Sequence, residues 1–250
     1  MVSFLKNIFK PSSIRQNDCS GLVSDMHAHF IPGIDDGAQT VEEGVEMVKG
    51  MHDLGYRVLW LTPHINKEYY PNTKHTIEPA FGALQTAVRQ ANIPVELHFA
   101  AEYFMDEHFE TLLEQGDLLT LPGRHVLAEF SFFAPPVNFE EVFFQMNIKG
   151  YKPILAHPER YTYWRKELKR FERLRERGCK LQINLLSLAG EYGREVQHIA
   201  ETLLRNGQVD LIGTDCHKIA QVERLKAWIK KGGFRLPANG EMKNKTLLIA

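Results

Sequence analysis

The sequence predicts an α/β fold in which seven parallel strands close into a (β/α)7 barrel. Seven short apolar segments are each followed by a segment with helical patterning, and this alternation runs through most of the 250 residues without a linker or low-complexity break. Strands that alternate with helices are typical of a parallel sheet covered by helices, and α/β barrels of this length commonly form one domain. We therefore predict one barrel domain over residues 21–250, after an N-terminal extension over residues 1–20.

The predicted elements follow one another in a regular order. Strands are predicted at 22–26, 57–61, 95–99, 125–129, 153–156, 180–183 and 209–213. Helices are predicted at 41–54, 77–91, 107–114, 139–149, 165–177, 194–206 and 220–230. Thr40 stands before the first helix and Glu43 three residues later, which is the spacing of a capping box.

Charge and composition exclude several classes of protein. The formal net charge is -1 without a basic block, so the chain lacks the electrostatic pattern of a nucleic-acid-binding protein. No apolar run approaches the ~20 residues that a transmembrane helix needs. The apolar stretch within residues 1–13 is too short for a signal peptide, and we expect a frayed tail or short docking helix rather than a membrane anchor. Three widely spaced cysteines argue against a disulfide framework and indicate a cytoplasmic location.

Six of the seven predicted strands are followed by a histidine or an acidic residue. In chain order these residues are His27, His29, Asp36, His64, Glu102, Glu129, His157, Asp215 and His217. The carboxyl ends of barrel strands meet at one face, so the side chains are expected to converge. Residues i and i+2 of a strand point to the same side, which lets His27 with His29, and Asp215 with His217, bind one metal. Imidazole and carboxylate ligands without thiolates suit manganese, iron or zinc.

Other polar residues near these motifs have simpler interpretations. Asp35 is expected to be a turn residue, because Asp-Asp-Gly is typical of turns. Asp25 lies deeper than His27 on the same face and is expected to support the ligands rather than bind metal. Cys216 alternates with its neighbours and is expected to be a small packing residue. The remaining histidines are not assigned to the site, namely His52, His75, His98, His108, His125 and His198.

The order of these motifs resembles the polymerase and histidinol phosphatase (PHP) superfamily. Six segments together look like the bacterial capsule-type tyrosine-protein phosphatases of that superfamily: DMHAHFIPGIDDGAQT, LTPH, AAEYF, LAEFS, AHPERY and GTDCH. The resemblance covers residues 22–230 and implies a distorted seven-stranded barrel with three divalent metals. Manganese is favoured, with iron, cobalt or zinc as alternatives.

The resemblance also implies a role for each residue. The first metal would be bound by His27, His29, Glu102 and Asp215. The second would be bound by Glu129 and His157 with Glu102 as a bridge, and the third by Asp36, His64 and His217. Arg160 in HPERY would bind the substrate phosphate, while His157 and Asp215 would act in catalysis. Arg224 is a further candidate for substrate binding, with a solvated helical arginine as the alternative.

The charge of such a site suits a phosphate ester. Four ligand carboxylates carry four negative charges, while three divalent ions carry six positive ones and a bridging hydroxide removes one. A metal can lower the pKa of bound water to ~7, which gives a nucleophile at neutral pH. The resemblance thus implies a protein-tyrosine phosphatase acting through a metal-bound hydroxide. Its implied partner is the tyrosine-rich tail of a membrane tyrosine kinase that controls capsule or exopolysaccharide synthesis.

The cysteine-dependent mechanism of other tyrosine phosphatases is excluded by the sequence. Those enzymes use a C-x5-R loop, and no arginine stands six residues after Cys19, Cys179 or Cys216. Three other functions remain open. A small-molecule phosphatase of the histidinol-phosphate type would use the same metals. An amidohydrolase would need a bridging lysine where this chain has Glu129. A non-catalytic metal-binding barrel is the third, and the retention of all the plausible ligands argues against it.

Overall fold

Parallel strands form the centre of the fold. The computed structural model describes residues 13–237 and 242–247. Its strands are β1 (Ser13–Arg15), β2 (Ser24–Asp25), β3 (Val58–Leu61), β4 (His64–Ile65), β5 (Glu96–Phe99), β6 (Glu102–Phe104), β7 (His125–Glu129), β8 (Lys152–Ala156), β9 (Lys180–Asn184), β10 (Leu211–Gly213) and β11 (Arg235–Pro237).

These strands form three sheets. A six-stranded parallel sheet has the order β10-β9-β8-β7-β6-β4, and a three-stranded parallel sheet has the order β2-β3-β5. A parallel bridge between Ala28 and Cys216 joins the chain after β2 to the chain after β10. The predicted α/β fold with parallel strands is confirmed, but the strands do not form one continuous sheet of seven. The difference arises because β3 and β5 each end before a short second strand, β4 or β6, that pairs in the other sheet.

Helices follow most of the strands. They are α1 (Val41–Asp53), α2 (Lys74–Gln90), α3 (Glu107–Gln115), α4 (Phe139–Ile148), α5 (Lys169–Glu176), α6 (Leu185–Leu188), α7 (Arg194–Arg205), α8 (Ile219–Lys230) and α9 (Asn244–Leu247). In α7 the buried residues Ile199, Ala200 and Leu203 recur at helical spacing, so one stripe of the helix packs inward. Within the described residues, none of these helices has the length and apolar character needed to span a bilayer.

Three helices begin at different residues from those predicted, and for α8 the difference is one residue, Ile219 rather than 220. The second helix begins at Lys74 rather than 77, because the backbone amide of Thr73 donates to Thr76 Oγ1 at 3.0 Å and caps an earlier turn. The fifth begins at Lys169 rather than 165, because the chain first makes a 3-10 turn that buries Trp164. Residues 1–12 of the predicted N-terminal extension lie outside the described residues. In the remaining part of the extension, Ser13–Arg15 pairs antiparallel with Arg235–Pro237.

A small apolar cluster lies inside the strands, separate from the main core. It consists of Met26, Ala100, Leu121, Leu127, Ile154, Ala156 and Leu211. Leu127 lies two residues before Glu129 on β7 and therefore shares its face. On β7, the polar strand end described below therefore shares a face with this apolar cluster.

Candidate metal centre

The polar side chains predicted from the strand ends come together at the carboxyl ends of the parallel strands. Their ligand atoms form three groups, and within each group all atoms lie within 4.8 Å of one another. The groups are, first, His27, His29, Glu102 and Asp215; second, His64, Glu102 and Glu129; and third, His29, Asp36, His64 and His217. His157 contacts the second group through Glu102. All nine predicted ligands are therefore neighbours in space.

The first group is buried and faces a common centre. His27 Nε2 lies 3.0 Å from Glu102 Oε2 and 3.3 Å from Asp215 Oδ1. His29 Nε2 lies 3.4 Å from each of the same two oxygens. Two imidazole nitrogens and two carboxylate oxygens form a donor set that suits a first-row divalent metal.

Glu102 connects this group to the second. Its Oε1 lies 3.0 Å from His157 Nε2, and its Oε2 lies 3.2 Å from His64 Nδ1. Glu129 approaches the same two ring nitrogens, with Oε1 3.3 Å from His64 Nδ1 and Oε2 3.8 Å from His157 Nε2. Glu102 is therefore positioned to act as the bridging carboxylate that the resemblance implies.

The third group lies at the rim of the centre. Asp36 Oδ1 lies 3.5 Å from His64 Nε2 and 3.4 Å from His217 Nε2. The rings of His29 and His217 stack with their centroids 3.9 Å apart. The Asp36 side chain is 55% exposed, so this group is the most open to solvent of the three.

Charge and hydrogen bonding at the centre fit bound metal ions. Among the described side chains, the buried atoms His27 Nε2, His29 Nε2 and Glu102 Oε2 have no hydrogen-bond partner. Burial lowers the pKa of His27, but the carboxylates of Glu102 and Asp215 outweigh it and raise the pKa to about 9. Burial likewise opposes ionisation of both carboxyls, yet the imidazoles hold their pKa values well below the usual range. The buried carboxylates require positive charge, which divalent ions would supply through the same atoms.

Two amide side chains on β9 orient the ligands, and neither is among the residues predicted from the sequence. Gln182 Oε1 lies 3.0 Å from His27 Nδ1, while Gln182 Nε2 donates to Asn184 Oδ1 at 2.8 Å. Asn184 Nδ2 donates to Asp215 Oδ2 at 2.6 Å. With the Gln182 oxygen as acceptor, His27 would keep its proton on Nδ1 when a metal is bound and present Nε2 as the metal-binding atom. The sequence contains a signal for these two residues. Their strand is the one of the predicted seven without a histidine or acidic residue after it, and the two amides have i, i+2 spacing.

Asp35 orients a ligand, which corrects the prediction that it is only a turn residue. Its Oδ2 lies 2.9 Å from His29 Nδ1 and also accepts from the backbone amide of His64 at 3.1 Å. Its Oδ1 accepts from the amide of Gly37 at 2.9 Å. Position 37 requires glycine, because a Cβ at that position would lie 1.9 Å from the carbonyl oxygen of His29. The Asp-Asp-Gly motif therefore fixes His29 and places Asp36 at the rim.

Two of the predicted ligands have unusual backbone conformations. The φ angle is 34° at His157 and 55° at Asp215, and such conformations cost non-glycine residues on the order of 1–3 kcal/mol each. β10 ends at Gly213, so Asp215 and His217 do not converge by strand alternation as predicted. The left-handed backbone of Asp215 lies in the segment after β10, where Asp215 Oδ1 is 3.6 Å from His217 Nδ1. Asp215 and His217 are close together as predicted, but strand alternation is not the reason.

Asp25 and the cysteines have supporting roles, in agreement with the sequence analysis. Asp25 accepts from the backbone amide of Thr214 at 2.9 Å and from its hydroxyl at 2.6 Å, which ties β2 to the segment after β10. Cys216 lies in the main apolar core, and burial raises its pKa well above the usual value. Burial raises the pKa of Cys19 and of Cys179 to about 12. None of the three thiols is therefore a thiolate at neutral pH.

Arg160 lies in the wall of a pocket of about 320 Å³ that borders the ligands. Its guanidinium carbon lies 4.4 Å from the ring centre of Phe132 and 4.3 Å from that of Tyr192. Its Nη1 donates to Asp215 Oδ2 at 3.0 Å, and the side chain is 24% exposed. The two rings pack on the guanidinium, and its Nη1 is directed at Asp215 in the centre.

The structure does not bring Arg224 to this pocket. Its Nη1 lies 2.8 Å from Glu191 Oε2, and its side chain is 52% exposed on α8. Lys218 and Gln221, at the beginning of the same helix, line the pocket instead. Arg224 lies nearly one turn farther along the helix than Gln221, and its guanidinium is held by Glu191 instead of reaching the pocket. The predicted substrate contact of Arg224 is not supported, and Lys218 is the second cation at this pocket.

The chain is similar to known bacterial proteins over most of its length. It is 30% identical over 219 residues to the tyrosine-protein phosphatase YwqE of Bacillus subtilis (strain 168), and this match covers 85% of this chain and 86% of that protein. A solved structure also matches; it comes from work on YwqE and on CpsB of Streptococcus pneumoniae, which are described there as metal-dependent tyrosine phosphatases. Its TM-score is 0.79 at 28% identity, and the match covers 90% of this chain and 94% of that one. Histidinol phosphate phosphatase from Lactococcus lactis shares the fold, with a TM-score of 0.52, 15% identity and coverage of 84% and 94%.

A family match spans the whole strand–helix alternation. The family described as "Capsular polysaccharide synthesis, CpsB/CapC" matches residues 23–228. This range contains all nine predicted ligands as well as Arg160. The chain therefore belongs to the CpsB/CapC family of capsular polysaccharide synthesis.

Proposed function

We propose that this chain is a metal-dependent protein-tyrosine phosphatase. The observation that carries the proposal is a cluster of imidazole and carboxylate ligands beside a pocket that also contains the guanidinium of Arg160. Relatives that match most of the chain are named tyrosine-protein phosphatases, and one of them is named as putative. The relatives and the chemistry of the site thus support the same reaction.

Charge favours a phosphate ester as the substrate. The four ligand carboxylates at the centre, those of Asp36, Glu102, Glu129 and Asp215, carry four negative charges. We propose three divalent metals, with manganese as the first choice, which would leave an excess of positive charge. When bound, such metals supply Lewis acidity and make a water molecule more acidic. Arg160 and Lys218 add positive charge at the pocket wall.

The protein side chains then have distinct tasks. His157 and Asp215 would hold metals next to the phosphate, which is the sense in which they are catalytic. Arg160 would bind the phosphate oxygens, because its planar fork allows two parallel hydrogen bonds to an oxyanion. Phe132 and Tyr192 keep that fork in place. The phenolate of tyrosine leaves more easily than a serine alkoxide, so a protonating acid matters less here.

The finer architecture and the setting belong to the same proposal. We infer that the two parallel sheets are parts of one distorted seven-stranded barrel, in which β3 with β4 and β5 with β6 are interrupted strands. This barrel forms a single domain over residues 21–250, preceded by the extension over residues 1–20. We place the enzyme in the cytoplasm, where its partner is a tyrosine kinase that controls capsule or exopolysaccharide synthesis. The family description, which names capsular polysaccharide synthesis, supports the link to capsule synthesis.

Phosphate release from three substrates tests the proposed function. A phosphotyrosine peptide, a phosphoserine peptide and histidinol phosphate are compared at equal concentration with added Mn²⁺. We expect the phosphotyrosine peptide to be hydrolysed fastest and activity to be lost on chelation or in Glu102→Gln. A preference for histidinol phosphate would identify a small-molecule phosphatase. Activity that survives chelation with no metal bound would refute the metal-dependent reaction.

A further inference from the structure

A large groove lies beside the metal pocket, and the reaction described above does not use it. Its volume is about 1090 Å³, compared with about 320 Å³ for the metal pocket. The two cavities share His64, Glu129 and Phe132. A substrate held at the metals would therefore extend directly into this space, which we call the flanking groove.

One wall of the flanking groove is a tight turn that presents an exposed tyrosine. The backbones of Asn66 and Tyr70 exchange two hydrogen bonds of 2.9 Å. Asn66 Oδ1 also accepts from the amides of Glu68 at 2.9 Å and Tyr69 at 3.3 Å. These contacts hold the turn while the Tyr69 side chain remains 70% exposed. Aromatic side chains on a fixed backbone lose little entropy on binding and often dominate protein contacts.

The opposite wall is the segment after β7, which presents two phenylalanines. The hydroxyl of Tyr163 donates to the carbonyl of Ser131 at 3.1 Å, which anchors the start of this segment. Phe132 packs on Arg160 and separates the metal pocket from the groove. Phe133, the next residue, also lines the groove and is 95% exposed. A side chain this exposed contributes nothing to the core, so its apolar surface remains available to a partner.

The charged residues of the flanking groove limit what it can bind. Besides Glu129, which it shares with the metal pocket, the groove has three acidic groups and one basic group, namely Glu68, Asp106, Glu107 and Lys67. An acidic partner segment would therefore be repelled, while an apolar or weakly basic one would not. The exposed aromatic side chains favour apolar contacts.

We propose that the flanking groove binds the polypeptide segment next to the phosphotyrosine, and that this segment carries apolar side chains and few acidic ones. Tyr69 and Phe133 contact those apolar side chains from the two walls. The proposal rests on the phosphatase function, because it requires phosphotyrosine in the adjoining metal pocket. It assigns substrate selection to residues that hold neither metal nor phosphate.

The Tyr69→Ala/Phe133→Ala double variant tests this proposal. Both side chains are exposed, so the variant keeps the core intact. Values of kcat/KM are measured for a phosphotyrosine peptide with leucine and valine neighbours, an equally long peptide with glutamate neighbours, and p-nitrophenyl phosphate. We expect the wild type to prefer the apolar peptide. The double variant should lose about tenfold on that peptide, as is typical of removing aromatic contact residues, and should retain its activity on p-nitrophenyl phosphate.

Phe144→Ala is the matched control, because Phe144 is 56% exposed on α4 and does not line the groove. It should behave as the wild type on all three substrates. An equal loss on all three substrates in the double variant, or no loss on the apolar peptide, would overturn the groove proposal and leave the phosphatase function standing. Wild-type protein that hydrolyses none of the three with Mn²⁺ would overturn the phosphatase function and, with it, the groove proposal.

Discussion

Replacing Gln182 by methionine tests whether the amides on β9 tune the metal centre. The substitution keeps the shape of the side chain but removes the acceptor that lies 3.0 Å from His27 Nδ1 and the donor that lies 2.8 Å from Asn184 Oδ1. Both partners are buried, so water cannot replace these contacts. The His27 ring is then free to rotate or to change tautomer.

The size of the effect follows from these contacts. Loss of an outer partner of a metal-binding histidine typically weakens metal affinity by about 10- to 100-fold. Two buried polar groups also lose their partners, at about 1–3 kcal/mol for each group. We therefore expect a lower Mn²⁺ affinity together with a lower unfolding free energy of the metal-free protein.

Calorimetric titration of chelator-treated protein with Mn²⁺ measures the affinity, and urea unfolding measures the stability. Gln145→Met is the control, because Gln145 is an exposed residue of α4 and the substitution there should change neither quantity. An unchanged Mn²⁺ affinity in Gln182→Met, with stability reduced, would show that Gln182 supports the fold alone. That result would refute its role in orienting His27.

Three further predictions concern other parts of the molecule. Arg160→Lys should lose about tenfold or more in kcat/KM with unchanged metal content, because charge-assisted contacts contribute about 1.5–3 kcal/mol. Cys216→Ser, and the serine variant of all three cysteines, should keep most of the activity, because these thiols are buried. Asp210→Asn should lower the unfolding free energy at pH 7 by about 2 kcal/mol, because Arg175 and Lys243 lose a buried anionic partner. Burial raises the pKa of Asp210 but these cations lower it overall, so its stabilisation is present at neutral pH and disappears as the pH falls through the folded-state value.

Each of these predictions has a measurement that can contradict it. Unchanged steady-state kinetics in Arg160→Lys would remove that residue from the phosphate site. An inactive serine variant whose metal content by elemental analysis is normal would contradict the metal-based reaction. For Asp210, unfolding is followed from pH 7 down to about pH 3, below the usual aspartate pKa. If the difference in unfolding free energy between wild type and Asp210→Asn does not shrink in acid, the charge of Asp210 is not the source of that difference.

The sequence was sufficient to predict the helices and strands wherever local patterns are strong. Strand β7 and the beginning of α1 at Val41, with its Thr40 cap, match the prediction. The short strands β4 and β6 were missed, because a strand of two or three residues has no measurable periodicity. Their pairing is a long-range interaction, with His64 beside Glu102 and Glu102 beside Leu127.

The amino-acid sequence alone determined which side chains could bind metal, because the chemistry of imidazole and carboxylate belongs to the residue and strand ends recur in a fixed order. Only the tertiary structure decided how these groups are arranged and assisted. Gln182 meets His27 across 155 positions of the chain, and Asp35 bends back to His29 through a turn. Arg224 is held by Glu191, away from the pocket. Such pairings depend on how distant segments pack against each other, and no local pattern in the sequence encodes that distance.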